Sequence, residues 1–125
     1  MSILTAFNNH FEDFVDDVLR IFPDNMDLKK AKLTIEMLRK ANPRSILLIW
    51  RDYIANKYRE QIENSDISFF IEKDYSSDVT DMDRNERVME IIEKMRTPVR
   101  DMGEENQKKA MKYIQNLTKL SDMYQ

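Results

Sequence analysis

Near the start of the chain, Glu12, Asp13, Asp16 and Asp17 place carboxylates at i,i+4 twice. Paired carboxylates can exchange protons as acid and base, or hold a divalent metal. No apolar pocket or second carboxylate helix is legible nearby to perturb them. The pattern therefore reads as a solvated helix face, or as one facing a basic partner, and the basic segment 26–63 could supply that partner within the same domain. His10 is the only histidine. One imidazole is enough for a general base, but no nucleophile elbow accompanies it, so a helix-flank histidine is the better reading. Asp81, Asp83 and Asn85 match ligand positions 1, 3 and 5 of a calcium loop, with Val88 at position 8. Glu86 then stands where the turning glycine is needed, and Ile92 where the bidentate glutamate is needed. An acidic helix start complementing the helix dipole explains the same residues.

Composition removes most other chemistry. The 125 residues include no cysteine and a single glycine, Gly103. Disulfides, thiolate zinc sites and cysteine nucleophiles are excluded, and so are phosphate loops and dinucleotide fingerprints, which need several glycines. No catalytic residue, metal or cofactor is expected, and no small-molecule substrate.

Binding groups are easier to find. Lys29, Lys30, Lys32, Arg39, Lys40 and Arg44 form the densest basic cluster and could meet phosphates. A solvated helix face is the preferred alternative, because the whole chain carries a net charge of −3. Trp50, Tyr53 and Tyr58 could stack on bases, yet their helical spacing assigns them to the core first. Met82, Met89, Met95 and Met102 recur about every seven residues, as an adaptable groove or as core filler. Phe69, Phe70 and Tyr75 either lid the fold or form a partner hot spot.

The elements that must position these groups are all helical. Leu4, Phe7, Phe11, Phe14, Val18 and Ile21 follow a 3-4-3-4-3 spacing, which predicts a first helix ended by Pro23. It spans fewer than three heptads, so the stripe is expected to pack within the molecule. Asp24 is expected to cap a second helix carrying Leu28, Ala31, Ile35 and Leu38, with Leu33 and Met37 widening its buried face. Asn42-Pro43 predicts a third, continuous helix from Pro43 to about Asn64, with Asn42 as cap and Pro43 at its first position. A short helix capped by Ser65 should cover residues 67–71, followed by a polar loop around residues 72–83. A fourth helix starts near Asp83 and should kink or end near Arg96 because of Pro98. Asp101 and Glu104 have capping-box spacing for a last helix. The expectation is an all-α, single-domain bundle of about five helices over residues 1–125, with no internal repeat.

Charge alternates along that domain. The net charge is −4 over residues 1–25, +4 over 26–63, −4 over 64–102 and +1 over 103–125. Such blocks suit segments that attract one another or a partner patterned in the opposite sense. The longest apolar run, residues 46–50, has five residues, far short of a membrane span. The N-terminus lacks a basic region followed by an apolar one, so no secretory leader is expected.

Three stretches taken together carry a resemblance. They are Asn42-Pro43-Arg44 with Ile49-Trp50-Arg51-Asp52-Tyr53-Ile54 and Lys57-Tyr58, then Phe69-Phe70-Ile71-Glu72-Lys73-Asp74-Tyr75-Ser76, and last Glu105-Asn106-Gln107 with Met111-Lys112-Tyr113-Ile114-Gln115-Asn116-Leu117. In this order they resemble small helical proteins carried by large DNA viruses of algae and amoebae, a family without an assigned activity. The resemblance implies a protein in the host cytoplasm or packaged in the virion. The expectation is a non-enzymatic interaction protein that self-associates or docks on a larger assembly, with Phe69, Phe70, Tyr75, Met82 and Met89 as partner-binding residues. The alternative is an accessory nucleic-acid binder using residues 29–44.

Overall fold

Ser2 opens the first helix by accepting the Thr5 backbone N–H at 3.0 Å, which satisfies one of the free donors of the first turn. Helix α1 (Ile3–Ile21) then buries Phe7, Phe11, Phe14, Val15 and Val18. The computed structural model describes residues 2–72 and 84–124, with the side chains of 84–86 excepted. The predicted polar loop lies outside the described residues, apart from Glu72.

Helix α2 (Met26–Ala41) is capped by Asn25, whose side chain accepts from Leu28 N–H at 3.1 Å; Asp24 is left in the preceding turn. Leu28, Ala31, Ile35 and Leu38 are buried against the rest of the bundle. Burying each large side chain of this kind stabilises by roughly 1.5–3 kcal/mol. Leu33 and Met37 do not widen that face, because both are exposed.

The third helix is not continuous. Pro43 and Arg44 form a turn, and Asn42 O accepts both the Ser45 N–H (3.1 Å) and the Ser45 hydroxyl (2.9 Å). Helix α3 (Ser45–Ile49) runs into a π-helical segment, Trp50–Ala55, and helix α4 (Arg59–Glu63) follows. The wider π turn is marked by Asn56 N–H donating to Arg51 O at 3.0 Å. It reconciles a four-residue spacing with one inward face. Trp50, Ile54, Tyr58 and Ile62 would drift around a regular helix, yet all four are buried.

Ser65 takes a left-handed φ of 57° after α4. Ser65 N–H returns to Ile62 O and Asp66 N–H to Gln61 O, the paired bonds of a Schellman ending. Asp66, rather than Ser65, then caps helix α5 (Ser68–Glu72), accepting from Ser68 N–H at 3.1 Å.

Helix α6 (Arg84–Asp101) continues through Pro98 instead of ending near Arg96. Pro98 sits in its last turn, so the helical donor it lacks is the one that would have served Lys94 O. Gln107 closes that end by donating its side-chain N–H groups to Arg100 O (3.0 Å) and Val99 O (3.3 Å). Asp101 is the last residue of α6 and forms no capping box. Gly103, at φ +88°, is instead the N-cap of helix α7 (Glu104–Met123).

These helices form one all-α bundle, with no strand among the described residues. Helix α1 packs on α2 and α7, and α2 packs on α6. Trp50 lies at the centre, edge-on to Phe11 at 5.9 Å and Phe7 at 6.5 Å. Its indole N–H donates to Thr118 Oγ1 at 3.2 Å, so the one polar atom of the ring is satisfied in the core.

Candidate interaction surface

The basic segment has an inner and an outer side. On the inner side, Lys32 Nζ meets Asp16 Oδ1 at 2.7 Å and Arg39 meets Glu12 Oε1 at 3.1 Å. The hydrogen bond from Asp16 holds the Lys32 ammonium above its ordinary pKa. Part of the predicted basic cluster is thus the partner of the predicted acidic face. On the outer side, Lys29, Lys30, Lys40 and Arg44 are exposed. None of these four enters an ion pair among the described residues.

Between the outer cations runs an apolar row that the sequence reading assigned partly to the core. Met26 is 60% exposed, Leu33 65% and Met37 46%. At about 100° per residue these three lie within about 40° of one another, and they span about 16 Å of helix. Lys30 falls on one flank of the row, and Lys29 and Lys40 on the other. Arg87, exposed on α6, donates to the Met37 sulfur at 3.6 Å and carries the positive rim onto the neighbouring helix. Of the exposed carboxylates of α2, Asp27 lies well round the Lys30 side, while Glu36 sits on the other flank about 20° beyond Lys29, so Lys29 and Lys40 form the inner edge of that rim.

The expected hot spot is not on the surface. Phe69 and Phe70 are 7% and 0% exposed, and Met89 is 3% exposed. Phe69 stacks on Tyr58 at 5.0 Å, and Phe70 lies 6.3 Å from Phe14. Phe69 and Phe70 lid the bundle, turned inward by α5, and Met89 is buried on α6. Met95 and Met102 are buried as well, so the described part of the methionine stripe is core filler. Tyr75 and Met82 lie outside the described residues, as does most of the calcium-like pattern. Trp50 and Tyr58 are buried and Tyr53 half-buried, which places these rings in the bundle and not on a stacking platform.

The seam between α1 and α7 gathers the remaining polar groups. The Tyr113 hydroxyl donates to Asp17 Oδ2, while Asp17 Oδ1 accepts from Arg20. Burial, followed by the Asp17 carboxylate, pushes the Tyr113 phenol up to about 12. His10 lies 4.8 Å from the Tyr113 ring, and burial holds it below its ordinary pKa against the opposing effect of Asp13. A cavity of about 240 Å³ adjoins Phe14, Val18, Ile21 and Met102 on one side of the Tyr113–Asp17 bridge. Both oxygens of Asp17 are engaged, and Glu12 and Asp16 are paired with cations. Among the described residues no cluster of histidine and carboxylate groups could hold a metal ion, and no helix is long and apolar enough to cross a membrane.

Compared with protein-family models, curated proteins and solved structures, the chain matches none.

Proposed function

We propose that this chain is a helical interaction module that engages a protein partner through the outer face of α2. The observation that carries this reading is the row Met26, Leu33 and Met37, held in solvent by a helix whose opposite face is committed to the core. Single exposed apolar side chains are ordinary, but three aligned on one helix face and rimmed by charge suit a contact surface. The reading invokes no catalysis and no cofactor. The sequence resemblance to proteins of large DNA viruses supplies a setting for it, docking on a viral assembly in the host cytoplasm or in the virion.

A second reading is accessory nucleic-acid binding by the outer cations Lys29, Lys30, Lys40 and Arg44, which are exposed. Two observations weigh against it. Lys32 and Arg39 are committed to α1, and three apolar side chains among the cations have no role against phosphates.

The Leu33→Ser/Met37→Ser variant tests the first reading. Wild type and variant are purified from the producing cells and compared by size exclusion with light scattering. The expected result is an equal melting temperature and loss of a partner that the wild type retains. A wild type that retains no partner, or a variant that keeps the same one, contradicts it.

A further inference from the structure

Resting on that reading, we infer that the occupant of the α2 face is an acidic amphipathic helix of about three turns. The apolar row is straight and about 16 Å long, the rise of roughly eleven helical residues. A partner helix laid along it would present its own apolar stripe at i, i+3/i+4 and i+7, the usual way helical faces interlock. The flanks then decide the sign of the partner's charge. Lys30 lies on one side, Lys29 and Lys40 on the other, with Arg87 beside Met37, and each rim position faces the edge of an incoming stripe. Glutamate or aspartate at those edges would meet cations that have no other ion pair among the described residues, an arrangement that sets partner choice in paired helices.

The same charges disfavour the other occupants. A second copy pairing α2 on α2 in parallel would set Lys30 against Lys29 across the seam, and an antiparallel copy would leave Lys40 without an acidic partner. An anionic lipid surface would attract the lysines, but α2 buries Leu28, Ala31, Ile35 and Leu38 in its own bundle and offers a bilayer only three side chains. A nucleic acid would use the cations and leave the apolar row without a contact.

The experiment selects binders from a displayed library of helix-forming peptides, using the full chain as bait. Baits are the wild type, the Lys29→Glu/Lys30→Glu/Lys40→Glu variant and the Leu33→Ser/Met37→Ser variant, each first checked for an unchanged melting temperature. From the wild type the expected winners carry an apolar stripe with acidic edges. Their affinity should fall at least tenfold on the triple charge reversal and fall again as salt is raised. The reversed bait should select basic edges, and the serine bait should select neither. Winners that depend on Leu33 and Met37 but show no acidic bias would overturn the acidic-helix inference and leave the docking surface standing. So would a chain that dimerises through Leu33 and Met37, or phosphatidylserine vesicles or a DNA duplex that bind in dependence on these residues more tightly than any peptide. Absence of any binder that depends on Leu33 and Met37 would overturn the docking surface itself.

Discussion

Arg39 on α2 reaches Glu12 on α1 at 3.1 Å, and that contact divides one basic segment into two roles. Together with Lys32 and Asp16, it clamps the second helix to the first. The lysines on the far side of α2 are exposed.

Charge changes on the two sides should therefore differ in kind. Both inner pairs are partly exposed, so each contributes only about 0.5–1 kcal/mol. Arg39→Glu sets two carboxylates together and should cost at least that much, with recovery in the Arg39→Glu/Glu12→Arg double variant. Lys30→Glu and Lys40→Glu should stay within about 0.5 kcal/mol of wild type. Urea denaturation of the four variants reads the difference.

Burial predicts an opposite contrast between Phe70 and Leu33. Phe70→Ala empties a fully buried site and should cost about 3–5 kcal/mol. Leu33→Ala, at an exposed position, should change stability by less than about 0.5 kcal/mol. Near-equal effects in thermal melts would contradict the placement of both residues.

The α1–α7 seam should respond to pH in two separate windows. Burial lowers His10 in the folded chain, so its neutral form is favoured there. That contribution is present above about pH 6.5, the unfolded value, and is lost as pH falls through the lower folded value. His10→Gln should flatten the stability profile between pH 7 and 5. Tyr113 is shifted the other way, to about 12. Its contribution is present below about pH 10 and is lost as pH rises through 12. Tyr113→Phe should flatten the alkaline limb, as read from denaturation midpoints.

Gly103→Ala isolates a backbone effect. No atom lies within 4 Å of the Cβ it would add, so packing does not change. The residue sits at φ 88°, ψ 160°, a region that side chains avoid. The expected cost is about 1–3 kcal/mol, all of it conformational, with the Trp50 fluorescence of the folded state unchanged.

Much of the fold was legible because the strongest signals were periodic. The phenylalanine stripe of α1 and the Leu28–Leu38 stripe of α2 bury as their spacing predicts, and the acidic face of α1 found its partner in the basic segment. Three features were not legible. The π turn at Trp50–Ala55 was hidden because the four-residue spacing of Trp50, Ile54, Tyr58 and Ile62 also suits a broad face on a regular helix. Pro98 signals a kink or a stop by its own chemistry, and the Gln107 side chain that bonds the α6 carbonyls beyond it comes from the next helix. Phe69 and Phe70 could by sequence either lid the fold or meet a partner, because the rings of Tyr58 and Phe14 that pack against them come from other helices and turns. For the candidate surface, Leu33 and Met37 were visible as apolar residues. Their direction was not, because α2 is covered on one side only and either edge of its stripe could have been the buried one.

Photo-crosslinking from position 33 tests the docking surface most directly. A photoreactive phenylalanine analogue replaces Leu33 in the full chain, with a control at exposed Asp13, and adducts formed in the producing cells are mapped by mass spectrometry. A discrete adduct from position 33, absent from position 13 and joined to an acidic helical peptide, is the predicted result. No adduct from position 33, or the same adducts from both positions, would contradict the assignment of α2 as the docking face.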